Sequence, residues 1–364
     1  MNTSTRYRFA AVALIAVMAL AVSVHSSSSA SATTTTSHTA VHGTASVAYA
    51  GSLQLFAATV LGPKFKAATG DSFQGRGAGS STLAAEILAK EISPGVFMSV
   101  GKKNIKKLWP AKRAKFVIQL ATDPLVVAYN PRSKYASQFA AIADHKAPLS
   151  SLFKLLSTSG IRIGRTDPNA DPQGVYFILM MELAKSTLHL SYDPATTALG
   201  VTKSSPFGKT SQMVDEDSLI TDLQAGEFDA SSAYLTQAVQ YHLHYIALPK
   251  TLSFSVPSES SHYGTVSITL TGGTVDQGDL ITLNITLVQP ASAATAPSPA
   301  NQASDNAFVA WVLSANGRTD LKNGGYLLTP PLYTGATSAD TAAKTLPNNV
   351  LRAFTSAGGT TSAG

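Results

Sequence analysis

One repeated unit constrains this chain more than any other feature. A short apolar run ends in a turn of small residues, and an amphipathic segment follows. Ala45–Ala50 leans towards β structure and is interrupted by Gly51-Ser52. Leu53, Leu55, Phe56, Val60, Leu61 and Phe65 then form one broad apolar face, closed by Gly70. Asp71–Arg76 leads into Gly77-Ala78-Gly79-Ser80-Ser81, and Leu83–Ile92 has helical spacing. Val96–Val100, Phe116–Leu120 and Pro124–Asn130 read as strands. A second set follows: helix Leu149–Ser157, strand Ile161–Gly164, turn Asp167–Gly174 and helix Val175–Lys185. Helix Asp215–Gln224 opens on Asp215, Glu216 and Asp217, which suits the positive end of its dipole. Helix Ala233–His242 and strand Tyr245–Leu248 complete the set. Strands alternating with helices predict an α/β architecture, with a largely parallel sheet covered on both faces.

From Thr251 the texture changes. Val266–Leu270 and Leu280–Val288 alternate around Gly272-Gly273, which predicts an antiparallel hairpin over residues 266–288. A Pro/Ala/Ser stretch, residues 290–302, leads to a final helix, Asn306–Ser314, with Gly317 after its end.

The ends read differently. Arg6 and Arg8 precede an apolar run from Phe9 to Val24, then Ala30-Ser31-Ala32. That is the pattern of a cleaved signal peptide over residues 1–32. The rival reading, a membrane anchor, usually needs about 20 apolar residues, more than this run holds. Residues 33–44 read as a disordered lead-in and 336–364 as a flexible tail. The chain has no cysteine, which excludes disulfides, thiolate chemistry and a lipid-modified cysteine. The expected location is therefore periplasmic or secreted. The net charge of +6 favours anionic ligands. Nucleic acid is not expected, because the basic residues do not track an aromatic-laced face. The densest basic stretch (Lys102, Lys103, Lys106, Lys107, Lys112, Arg113, Lys115) reads as a solvated surface, with a docking patch as the sharper alternative.

The turns carry the candidate chemistry. Ser52, Ser80 and Ser81 stand where helices begin, and Asp171-Pro172 places a cap before proline at the first helical position. Ser231 and Ser232 precede the helix expected near Ala233. Helix starts present free N–H groups and a positive dipole end. In an open α/β sheet they face the edge where ligands bind, and a small anion suits them. Arg76 and Arg165 are the nearest bases.

Ala50-Gly51-Ser52-Leu53, Ala78-Gly79-Ser80, Asp123–Asn130 and Asp167–Gly174 resemble, in order, segments of the tungstate/molybdate-binding proteins of ABC importers. The similarity continues through Gly226-Glu227-Phe228-Asp229, Leu248-Pro249, the hairpin and the helix Ala307–Ser314. The resemblance implies a two-lobed type II periplasmic-binding-protein fold with a ligand cleft between lobes. One lobe is expected over residues 45–127 and 246–335, and the other over 128–245. It implies binding positions at Gly51, Ser52, Ser80 and the Asp171-Pro172-Gln173 turn. It also implies a glutamate that joins the aspartate as ligand to the metal centre. Ala233 stands at the position expected for that glutamate, with Tyr234 beside it. A tetrahedral anion follows, with Asp171 as either one extra ligand or only the N-cap. Tungstate and molybdate are nearly equal in size and charge, so the reading covers both.

The implied function is capture of this oxyanion by a monomeric protein for an ABC permease. No cofactor is expected. An enzyme is not expected either: no GxSxG, HExxH or P-loop pattern occurs, and His145, His189 and His262 lack an acid-and-serine arrangement. The alternatives are a binding protein for sulfate, phosphate or an organic anion, or a secreted structural or adhesive protein.

Overall fold

Two sheets organise the computed structural model, which describes residues 42–362. The expected signal peptide and most of the lead-in lie outside the described residues, and Thr44 already belongs to the first strand. β1 (Thr44–Ala50) is buried along most of its length because parallel neighbours flank it. An irregular helical stretch follows, beginning as a tight turn at Gly51–Leu53. It passes through α1 (Gln54–Phe56) and a π turn at Ala57–Leu61 into α2 (Gly62–Thr69). Where one helix was expected, the chain is thus locally rewound. Phe65 is fully buried against Phe308 and Trp311, with ring centroids 5.2 Å and 6.1 Å away. Burying a ring of this kind contributes about 2–3 kcal/mol.

β2 (Ser72–Ala78) is a strand where the sequence suggested a lead-in. Next come α3 (Ser80–Ala89), β3 (Val96–Val100), α4 (Lys102–Lys106) and β4 (Phe116–Thr122). The chain then crosses to the second sheet. β5 (Leu125–Tyr129) pairs there along its whole length, so the crossing falls at Asp123-Pro124, ahead of the expected Ala128. That lobe continues with α5 (Ala136–Ala143), α6 (Ser150–Leu156), β6 (Ile163–Thr166), α7 (Pro172–Thr187) and β7 (Met213–Val214). It ends with α8 (Glu216–Ala225), β8 (Ala230–Tyr234), α9 (Leu235–Gln240) and β9 (His244–Ala247). The sheet order is β7-β6-β8-β5-β9.

On the return, α10 (Ser260–Tyr263) precedes a hairpin of β10 (Ser267–Thr269) and β11 (Val275–Gln277). The expected hairpin partner, β12 (Thr282–Leu287), instead lies between β3 and β4 in the first sheet, antiparallel to both. Every residue of β12 is buried, as a central strand requires. Both sheets are mixed, where a largely parallel one was expected.

α11 (Pro299–Leu313) starts seven residues before the predicted Asn306, where the Ser298 hydroxyl accepts from Asn301 N at 3.2 Å. Gly317 does not end it, because Ser314 caps a further helix, α12 (Ala315–Asn323). β13 (Leu327–Gly335) follows. Of the residues expected to be a flexible tail, 336–362 are ordered. α13 (Ala342–Thr345) and α14 (Asn348–Ser356) pack on the first lobe, and β14 (Thr360–Thr361) pairs with β13 at its edge. Val350 and Phe354 are buried, and Phe354 meets Tyr333 edge-on at 6.2 Å. The first sheet reads β14-β13-β4-β12-β3-β1-β2. Among the described residues no helix is long and apolar enough to cross a membrane.

Candidate functional site

The ends of β1 and β2 bring the turns before the first lobe's helices against the α7 and α8 starts of the second. Two glycines permit the approach. A Cβ on Gly51 would lie 2.5 Å from Glu216 Oε2. A Cβ on Gly79 would lie 2.5 Å from the Ala170 carbonyl oxygen and 3.3 Å from Asp171 Cβ. Real Cβ atoms do not come so close, so any larger residue would part the lobes or displace the carboxyls. Thr82 N donates to the Ala170 carbonyl at 3.3 Å across the same junction.

Ser52 is buried, and its hydroxyl finds no protein partner. Ser80 is the first residue of α3, and its Oγ accepts from Val100 N at 3.1 Å. That bond ties the turn to β3 and leaves the hydroxyl proton free to donate. Asp171 caps α7: its Oδ1 accepts from Gln173 N at 2.8 Å and from Thr166 Oγ1 at 2.9 Å. Pro172 follows at the first helical position, where its missing N–H costs nothing. Gln173 is fully buried and donates from Nε2 to Ser232 O and Ser232 Oγ, both at 3.0 Å. Its Oε1 has no protein partner.

Ser231, Ser232 and Ala233 do not precede a helix; they lie in β8, and the helix begins at Leu235. Buried on both sides between β6 and β5, this strand carries no alternation that would have marked it. Ala233 packs among Val126, Leu219 and Phe228, away from Tyr234 and Ser232. Tyr234 caps α9, its N–H donating to Gln237 Oε1 at 2.9 Å, while its buried hydroxyl has no protein partner. Close by, Asp123 ties the inter-lobe crossing to α9 by accepting from Thr236 N at 3.2 Å and Thr236 Oγ1 at 2.6 Å. Burial raises Asp123 to about 7.

The residue that sequence reasoning missed is Glu216. It opens α8 and is buried, and neither carboxyl oxygen has a hydrogen-bond partner. The Ser52 amide faces it without closing a well-formed bond. Burial first, and the neighbouring Asp171 carboxyl second, push Glu216 well above the usual glutamate range. Burial likewise raises Asp171 and Tyr234. The signal is the acidic first turn, which fits a partner to the helix dipole equally well. Asp215 and Asp217 are exposed and fit that role; Glu216 between them turns inward.

Among the described residues no base offsets the pair. Arg76 is bound to Glu86, with Nε donating to Oε2 at 3.0 Å. Arg165 is buried and donates to Gln212 Oε1 at 3.3 Å and to the Phe207 carbonyl, bracing the segment before α8. Burial lowers it to about 10. Among the described residues no Lys or Arg pairs with Asp171 or Glu216. Lys102 and Lys103 of the basic stretch pair with Asp279 and Asp276, so they anchor the hairpin segment.

The family of bacterial extracellular solute-binding proteins matches residues 45–327. The chain belongs to that family. Two curated relatives are the molybdate/tungstate-binding proteins WtpA of Pyrococcus abyssi and Thermococcus kodakarensis. They are 26% and 25% identical over 64% and 60% of this chain. The matches span 67% and 62% of those relatives' own lengths, and 60% for a Saccharolobus solfataricus solute-binding protein. Among solved structures, the periplasmic molybdate-binding protein of Azotobacter vinelandii aligns with a TM-score of 0.51 at 16% identity. It covers 78% of this chain and 99% of that one. The two-lobed solute-binding-protein fold is therefore the architecture of this chain.

Proposed function

We propose that this solute-binding protein captures tungstate or molybdate outside the cytoplasm and delivers it to an ABC permease. One observation carries the reading: two buried carboxyls, Asp171 and Glu216, meet at the junction of several helix starts with no cation paired to them among the described residues. An ionised carboxylate repels a sulfate or phosphate dianion. The larger, electron-poor metal centre of tungstate or molybdate accepts further oxygen ligands, which turns that repulsion into coordination. Asp171 Oδ1 is held by its capping bonds, so the cap orients the group while Oδ2 is available to the metal. The Ser52 and Ser80 hydroxyls, the Gly51–Ser52 amides and the Tyr234 hydroxyl supply donors for the anion's oxygens. With two carboxyls in place, expanded coordination replaces the purely tetrahedral expectation. The names of the WtpA relatives agree with this ligand. Export rests on the signal pattern at residues 1–32.

The test is thermal unfolding with tungstate, molybdate, sulfate or no anion. Ligand at about a hundred times its Kd adds about 2.7 kcal/mol, a rise of about 2–4 °C or more. Tungstate and molybdate should give that rise, and replacing Ser52 and Ser80 together by alanine should remove most of it. If sulfate stabilises as strongly as tungstate, the coordination argument fails.

A further inference from the structure

A second cleft, of about 720 Å³, opens between α12 and α14, built by groups other than those of the anion site. Its charged lining is entirely cationic: Arg318 and Lys322 from α12, and Arg352 from α14. Arg318 and Lys322 are one turn apart and share a helix face. Among the described residues none of the three forms an ion pair. The acid of α12, Asp320, is engaged elsewhere, by Lys64. Arg318 is held in place, Nη2 donating to the Thr329 carbonyl at 2.8 Å, while its buried Nη1 has no acceptor. A buried donor without an acceptor is costly, and more so when charged. Leu313, Leu328 and Ala353 also line the cleft and supply apolar surface.

We propose that this cleft binds a phosphate monoester with a small organic body. Three cations match a dianion, and the two guanidinium forks suit its oxygens. The volume falls within the roughly 300–1,000 Å³ of small-molecule pockets, far more than a bare anion fills. The apolar surface takes the body. Gly51, Ser52, Ser80, Asp171 and Glu216 do not line this cleft, so it is separate from the anion site.

Two sources present such a group, a soluble phosphate ester and a phosphatidic acid headgroup. Calorimetry with glycerol 3-phosphate and co-sedimentation with phosphatidic acid vesicles, against phosphatidylcholine vesicles, distinguish them. The variant Lys322→Gln/Arg352→Gln changes two exposed side chains, and an unchanged tungstate-induced thermal shift checks its fold. Wild-type protein should bind one or both probes, and the variant should bind at least roughly tenfold more weakly, having lost two charge-assisted partners. Binding should also weaken as salt is raised. Saturation by the free ester identifies a soluble ligand; sedimentation with phosphatidic acid alone identifies a lipid. No binding of either probe by the wild type, or equal binding by the variant, overturns the proposal.

Discussion

Glu216→Gln keeps the shape of the buried carboxyl and removes its ability to ionise. In the wild type, burial and Asp171 raise the folded-state affinity of Glu216 for its proton. The unfolded chain releases that proton near pH 4.3, the folded chain at higher pH. Between those points the unfolded state binds fewer protons than the native state, so stability falls as pH rises. The slope is at most about 1.4 kcal/mol per pH unit for one group. At about 2 °C per kcal/mol for a chain of this size, that is at most about 3 °C in Tm per pH unit. Asp123 and Asp305, each raised to about 7 by burial, and Glu182, also about 7, add loss of the same sign. They contribute equally to wild type and variant, so the difference between the two profiles reports Glu216 together with the Asp171 carboxyl coupled to it. The assay is thermal unfolding without anion at pH 4.5, 5.5, 6.5 and 7.5, paired with tungstate titration at pH 7.5. The variant should gain on the wild type steadily as pH rises, while losing tungstate affinity through the missing ligand. Parallel stability profiles would refute the inference that Glu216 is buried beside Asp171. Unchanged tungstate affinity would refute its role as a ligand.

Tyr234→Phe should leave anion-free stability unchanged or raise it by up to about 1 kcal/mol, because the buried hydroxyl has no protein partner. The same change should weaken tungstate binding roughly fivefold to tenfold by removing a donor, and denaturant titration with calorimetry separates the two effects. Phe354→Ala should cost about 3–5 kcal/mol by opening a cavity against Tyr333. A midpoint equal to wild type would show that residues 348–356 do not pack.

How much was legible follows from how local each signal was. Periodicity located β1, β3, β4 and β5, caps located the starts of α3 and α7, and an acidic first turn that of α8, because these depend on residues within a few positions of one another. Helix-start reasoning grouped Ser52, Ser80 and Asp171 as one set, and the family resemblance added Gly51. Signals that depended on distant partners misled. β8 was read as the beginning of a helix, because a strand covered on both faces has no alternating pattern. β12 was paired with its neighbour in sequence, whereas its buried residues belong between β3 and β4. Residues 336–364 read as a tail because Val350 and Phe354 are sparse among polar residues, and α11 and β13 that cover them lie earlier in the chain.

Glu216 marks the same divide most sharply. Composition and spacing placed three acids at the start of α8, and the helix dipole explained all three equally well. Only the close approach of Gly51, which no pattern along the chain encodes, turns one of the three into a buried carboxyl facing Asp171. Local propensity decides which residues begin a helix; long-range packing decides which of those beginnings meet, and therefore which charges share a site.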